Sequence, residues 1–169
     1  MNLCLAEKKE TAPQPSFQVQ VLTTEYLLEG IAAGDTQFYL PSSEDYWSPV
    51  TLTDVRITSI HDEKIPVRKA DRFEVQGGNV VAFIPLREAT TMIRFEVFEP
   101  YEKEMRGLYY IGPYVMDGTL KGFENDSFSS TLLMEDVTIR HINPKSPFKE
   151  IQSPHILINT FWLHGREVR

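Results

Sequence analysis

The chain has 169 residues, 41% hydrophobic and 11% aromatic, which is ample for a buried core and too apolar for global disorder. Its formal net charge of −7 is spread along the chain: residues 1–88 carry 8 Lys/Arg against 13 Asp/Glu, and residues 89–169 carry 9 against 11. Neither half has the positive excess that phosphate-backbone binding needs, and Cys4, the only cysteine, excludes an intrachain disulfide or a cysteine-rich metal site.

Residues 1–15, with Glu7 to Glu10 charged and Pro13 and Pro15 behind them, read as a flexible N-terminal tail. The apolar residues at the start are too few for a signal peptide, and no run approaches the length of a membrane span, so a cytoplasmic, membrane-free protein is expected. From Phe17 the pattern turns to period two. Phe17, Val19 and Val21 alternate with Gln18 and Gln20, and Thr53, Val55 and Ile57 alternate with Asp54, Arg56 and Thr58. Phe73 and Val75 follow the same rule, as do Ile93, Phe95 and Val97. Such alternation marks half-buried strands. Residues 79–86 form a nearly continuous apolar run, the mark of a strand covered on both faces. Breakers separate the runs: Pro41 to Pro49 as a long polar loop, Gly77-Gly78-Asn79 as a tight hairpin with positive φ, and Asn143-Pro144 as a further turn. One short helix is expected near Glu99–Arg106. The fold class is all-β.

Two stretches recur. Leu52 to Ile60 matches Met134 to Ile142 at a shift of 82, and Tyr26 to Gly34 matches Tyr114 to Gly122 at a shift of 88. A copied unit of small-domain size is the natural reading, with residues 16–88 as the first copy and 89–169 as the second. Within each copy, a strand reaching a Gly-x-x-x-Gly turn precedes a strand ending in an acidic residue and valine. Asp117 to Glu124 followed by Leu132 to Ile139 shows it in the second copy; Glu29 to Gly34 followed by Val50 to Val55 shows it in the first. This arrangement resembles the first motif of the Sm-like (Sm/LSm) family, and Val75 to Ile84, matched by Ile156 to Leu163, resembles the second. The resemblance implies two tandem small Sm-like β-barrels, each a strongly bent five-stranded antiparallel sheet. A duplicated barrel of another kind, or a sandwich of eight to ten strands, is the alternative reading.

The resemblance also implies a ring-forming homo-oligomer, in which three chains would carry six barrels. Family members that bind RNA use an Arg-Gly pair in the second motif. Here those positions read Gln76 and Gly77, with Gly78 behind them, in the first copy, and Ile158 and Asn159 in the second. The loops that would face the nucleotide hold Asp35 and, in the second copy, Glu124 and Asp126. Carboxylates in place of a guanidinium repel phosphate, so RNA is not the expected partner.

No catalytic motif accompanies this architecture. Neighbouring acidic residues in a strand point to opposite faces, and the four histidines, His61, His141, His155 and His164, lack ligand spacing. No enzyme activity, cofactor or metal is expected. Asp54 and Asp136 occupy matching places and could hook a loop or a neighbour; the plainer reading is a local turn bond. Tyr46 and Trp47, in a Pro/Ser-rich loop, are the aromatic pair suited to a protein partner. Tyr101, Tyr109, Tyr110 and Tyr114 are expected in the core or at the junction between copies. The functional expectation is a non-enzymatic assembly or protein-interaction module, with an altered RNA- or nucleotide-binding site as the alternative.

Overall fold

In the computed structural model, residues 16–33, 49–86, 103–122 and 131–168 are described. The first five strands are β1 (Ser16–Leu22), β2 (Tyr26–Ala33), β3 (Val50–Ser59), β4 (Arg68–Val75) and β5 (Ala82–Pro85). The second five are β6 (Lys103–Ile111), β7 (Tyr114–Gly122), β8 (Thr131–His141), β9 (Ile151–Asn159) and β10 (Leu163–Val168). A 3-10 turn precedes β5 at Gly77–Asn79 and another precedes β10 at Thr160–Trp162.

The strands form one antiparallel sheet in the order β10-β6-β7-β8-β9-β5-β1-β2-β3-β4. Its margins, β4 and β10, do not pair with each other, so the sheet is open and neither half closes into the barrel expected from the sequence. The reason lies in β5. One of its edges pairs with β1 (Leu22 opposite Ala82), and the other pairs with β9 (Ala82 opposite Ile158, Phe83 opposite Leu157), so it has no edge left with which to close its own half.

Each half nevertheless has the same internal order, with its last strand beside its first. The correspondence extends to register. In the first half Glu29 faces Arg56 and Ile31 faces Thr53, so Gly30 opposes two residues, Asp54 and Val55. In the second half Asp117 faces Thr138 and Thr119 faces Glu135, so Gly118 opposes Asp136 and Val137. Both aspartates take the left-handed conformation that such a bulge creates, with φ of 49° at Asp54 and 50° at Asp136. Aspartate is among the few non-glycine residues that tolerate it. Glycine gives close clearance opposite: a Cβ on Gly30 would lie 3.0 Å from the Thr53 carbonyl oxygen, and one on Gly118 would lie 3.0 Å from Val137 Cγ2, so a larger residue at either place would have to push its neighbour aside.

Hydrophobic burial follows the ladders. One core cluster gathers Val19, Val21, Leu28, Leu52 and Val55 of the first half with Leu133 and Leu157 of the second. The other gathers Tyr109, Ile111, Met116 and Ile139 with Leu22, Ile60 and Val81 from the first half. The apolar run forecast as doubly covered is so: Val80 to Pro85 are all buried. Phe83 points into one cluster while Ala82 and Ile84 point into the other.

Three expectations are corrected. Gly77 to Asn79 is a 3-10 turn rather than a positive-φ hairpin, because β4 and β5, which it links, are not neighbours in the sheet. Lys103 to Arg106 belong to β6 rather than to a helix, since they pair residue by residue with β7; residues 99–102 lie outside the described residues. The tail at 1–15, the loop at 41–48 and the strand expected at 93–98 also lie outside them. Among the described residues, no helix is long and apolar enough to cross a membrane.

The bulge geometry makes a stability prediction. Asp54→Val and Asp136→Val should each lower the free energy of unfolding by about 1–2 kcal/mol in urea titration, the cost of forcing a β-branched residue into the left-handed region. Asn and Gly at either position should be tolerated, and the two sites should respond alike.

Candidate interaction surface

Among the described residues, the meeting of the two halves at β5 and β9 is the most elaborate polar arrangement. Asn159 ends β9 and is 4% exposed. Its backbone N–H donates to the Val81 carbonyl at 3.0 Å, and its side-chain amide donates to the carbonyls of Val80 at 2.9 Å and Gly77 at 3.5 Å. Its side-chain oxygen accepts from Phe161 N–H at 3.1 Å, capping the second 3-10 turn. Trp162, in that turn, donates its indole N–H to the Gly78 carbonyl at 3.1 Å. One asparagine thus terminates a strand, caps a turn and holds the other half.

The far side of the seam is tied by Tyr114, fully buried, whose hydroxyl donates to the Thr23 carbonyl at 2.7 Å. Burial raises its pKa well above the ordinary tyrosine range, with Glu25 adding to the effect, so the phenol stays a neutral donor. Ser146 Oγ donates to the Ile60 carbonyl. Phe148 packs edge-on against Tyr114, with ring centroids 5.2 Å apart. His61 from the first half meets His141 from the second edge-to-face at 5.6 Å. His61 Nε2 lies 2.8 Å from the Thr24 carbonyl, which fixes it as a donor, and 3.4 Å from the Glu25 carboxylate. His141 Nδ1 accepts from Asn143 N–H at 3.0 Å. Burial pushes His141 below its usual pKa; the neighbouring His61 adds to this, against an opposing pull from the Asn143 backbone.

The residues singled out from the sequence fall into separate places. Tyr46 and Trp47 lie outside the described residues. Asp54 and Asp136 are exposed at the two bulges, where their role is backbone shape, and the Asp136 carbonyl accepts from Arg106 at 3.3 Å. Gln76 is exposed beyond β4, with its amide 3.3 Å from Glu74 Oε1. Gly77 and Ile158 are buried, while Gly78 is exposed with its carbonyl bound to Trp162. So Gly77, Gly78, Ile158 and Asn159, matched in sequence as equivalents in two copies, meet at one place.

The ladders also move that match by one residue. Val55 faces Ala70 and Val137 faces Ser153, so β4 maps onto β9 at a shift of 83, which sets Val75 with Ile158 and Gln76 with Asn159. The roles of Tyr114, Ser146 and the His61–His141 pair were not visible in spacing. The aromatic count placed Tyr114 in the core or at the junction, and only the fold shows the carbonyl it serves.

A shallow cavity of about 300 Å³ over the first bulge is bordered by Gln18, Glu29, Asp54, Arg56 and Lys69, charges of both signs, with Arg56 and Glu29 3.7 Å apart. Lys121 lies between the Glu104 and Glu135 carboxylates, which raise its pKa against the opposing effect of burial. Among the described residues, no group of three or more His, Cys, Asp or Glu side chains is placed to hold a metal ion. In comparison with known proteins, no family model, no curated protein and no solved structure matches this chain.

Two outcomes follow from the seam. Asn159→Ala should cost about 2–3 kcal/mol in chemical denaturation, because the buried Val80 carbonyl and Phe161 N–H lose their partner. His141, whose folded pKa lies below its unfolded value of about 6.5, takes up its proton more readily when unfolded. Stability should therefore fall as the pH drops through that value, and His141→Gln should flatten the decline of the melting temperature between about pH 7 and 5.

Proposed function

We propose that this protein is a non-enzymatic assembly module, built from two copies of one Sm-like unit, that associates through the open margins of its sheet. The carrying observation is the seam. The last strand of the first half pairs with the fourth strand of the second; among the described residues this leaves the fourth strand of the first half, β4, and the last strand of the second, β10, each with one edge that no strand pairs. A free edge is a row of unpaired N–H and C=O groups and a template for another strand. The kinship is supported by the shared strand order, by Gly30 and Gly118 at matching bulges, and by Asp54 and Asp136 in matching left-handed conformations. Because the margins differ, they join head to tail, and closure needs a rotation that returns to the start. A ring of three chains with six units is the closed form this reading favours, in a cytoplasmic setting.

Solution mass tests it. Light scattering across micromolar concentrations should return a multiple of the 19.5 kDa chain, with the trimer as the expected species. A mass of one chain throughout that range overturns the reading.

A further inference from the structure

Inside the chain, one five-stranded half is already docked on another, and the two margins carry the unmatched counterparts of that contact. The exposed large hydrophobic side chains among the described residues divide between those margins. Tyr26 is 41% exposed, Ile65 44% and Val67 45%; they lie at the start of β2 and in the β3–β4 loop, on the β4 side. Ile142 is 55% exposed and Phe161 77%. Ile142 is bonded to the β6–β7 turn at Pro113 and Phe161 sits in the turn before β10, so both belong to the β10 side.

The counterparts of Tyr26 and Ile142 at the seam are covered. At the shift of 88 that relates β2 to β7, Tyr26 corresponds to Tyr114, which is buried with its hydroxyl on Thr23. At the shift of 82 that relates β3 to β8, Ile142 corresponds to Ile60, which is 1% exposed and accepts from Ser146 across the seam. The loop carrying Ile65 and Val67 corresponds to the loop that packs Phe148 on Tyr114. Tyr26 and Ile142 are thus bare at positions whose counterparts, Tyr114 and Ile60, are buried at the seam, and the loop matching that of Ile65 and Val67 is half-buried there through Phe148.

Building on the assembly reading above, we propose that the occupant of each margin is a second copy of this chain, docked in the register of the internal seam. At the shift of 83, Ala82 opposite Ile158 becomes Gly165 opposite Val75 of the next copy, and Phe83 opposite Leu157 becomes Arg166 opposite Glu74 of the next copy. Both of the latter side chains are exposed in the single chain and opposite in charge, so the transferred register produces a complementary cross-strand pair. Gln76, which corresponds to Asn159, brings an amide to the Leu163 carbonyl of the next copy, as Asn159 brings one to Val80. Tyr26 is buried against the Ile111–Ile142 end of that neighbour. The contact combines main-chain strand addition with an aromatic anchor, which supply affinity and specificity respectively.

Site-directed cross-linking tests the register. In a Cys4→Ser background, Glu74→Cys/Arg166→Cys under oxidation should give a ladder of covalent multimers on non-reducing gels, since directly opposed Cβ atoms lie about 5 Å apart. Glu74→Cys/Glu167→Cys should not, because residue 167 points to the other face of the strand. Separately, Glu74→Arg and Arg166→Glu should each weaken association about fivefold, and the double reversal should restore it. An oligomer that resists the 74–166 link, together with a double reversal no better than the single ones, overturns this docking while leaving assembly by another surface standing. A chain that is monomeric by light scattering removes the assembly reading as well.

Discussion

Strand β5 is four residues long, yet both of its ladder edges and both of its faces are occupied. Its neighbours are β1 from the same half and β9 from the other, and its side chains alternate between two apolar clusters. Neither cluster belongs to one half alone. Leu133 and Leu157 complete the cluster of the first half, while Leu22, Ile60 and Val81 complete that of the second. The halves are thus joined by a shared interior as well as by the few hydrogen bonds of a short ladder. Loosening β5 exposes apolar surface on both sides of the seam, because a strand buried on both faces has no solvated side on which to rest.

The bulges are the second constraint. An extra residue opposite Gly30 or Gly118 raises the local twist of β3 or β8, and the strand on the far side of each is correspondingly re-aimed. That geometry places a left-handed residue on one strand and leaves tight clearance for a side chain on the other, which Asp54 with Gly30 and Asp136 with Gly118 supply. Around this common frame the surfaces have diverged. Arg106 pairs with Asp117 at 3.0 Å over the second bulge, whereas over the first the cation facing Glu29 is Arg56, from the other neighbouring strand. The same backbone thus carries two different charge patterns, and the more open one borders the cavity.

Much of this was legible in the residues. Period-two alternation located β1, β3 and β4 because half-buried strands expose every second side chain, and the apolar run at 79–86 revealed a fully covered strand. The shifts of 88 and 82 emerged from residue identities and recur in the ladders, where Tyr26 faces Ser59 and Tyr114 faces His141. What stayed hidden was partnership. Nothing local in Ala82 to Pro85 says that the second neighbour is β9 rather than a strand of the same half, so closed barrels were the natural expectation. The match of Gln76 to Ile158 missed by one because the added residue lies in the β8–β9 loop, where composition gives no anchor. Asn159 looked like a departure from a binding motif; three of its four hydrogen bonds depend on carbonyls that only the folded seam brings near.

The distance along the chain between β5 and its second neighbour has a consequence for how the protein is made. During synthesis, β5 leaves the ribosome long before Leu157 and Ile158 exist to pair with it. At translation rates of about 5–20 residues per second, the nascent first half waits for several seconds with a greasy strand uncapped. Such long-range closure is slow by nature, and it defines an interval in which the growing polypeptide needs shielding from its neighbours on the same polysome.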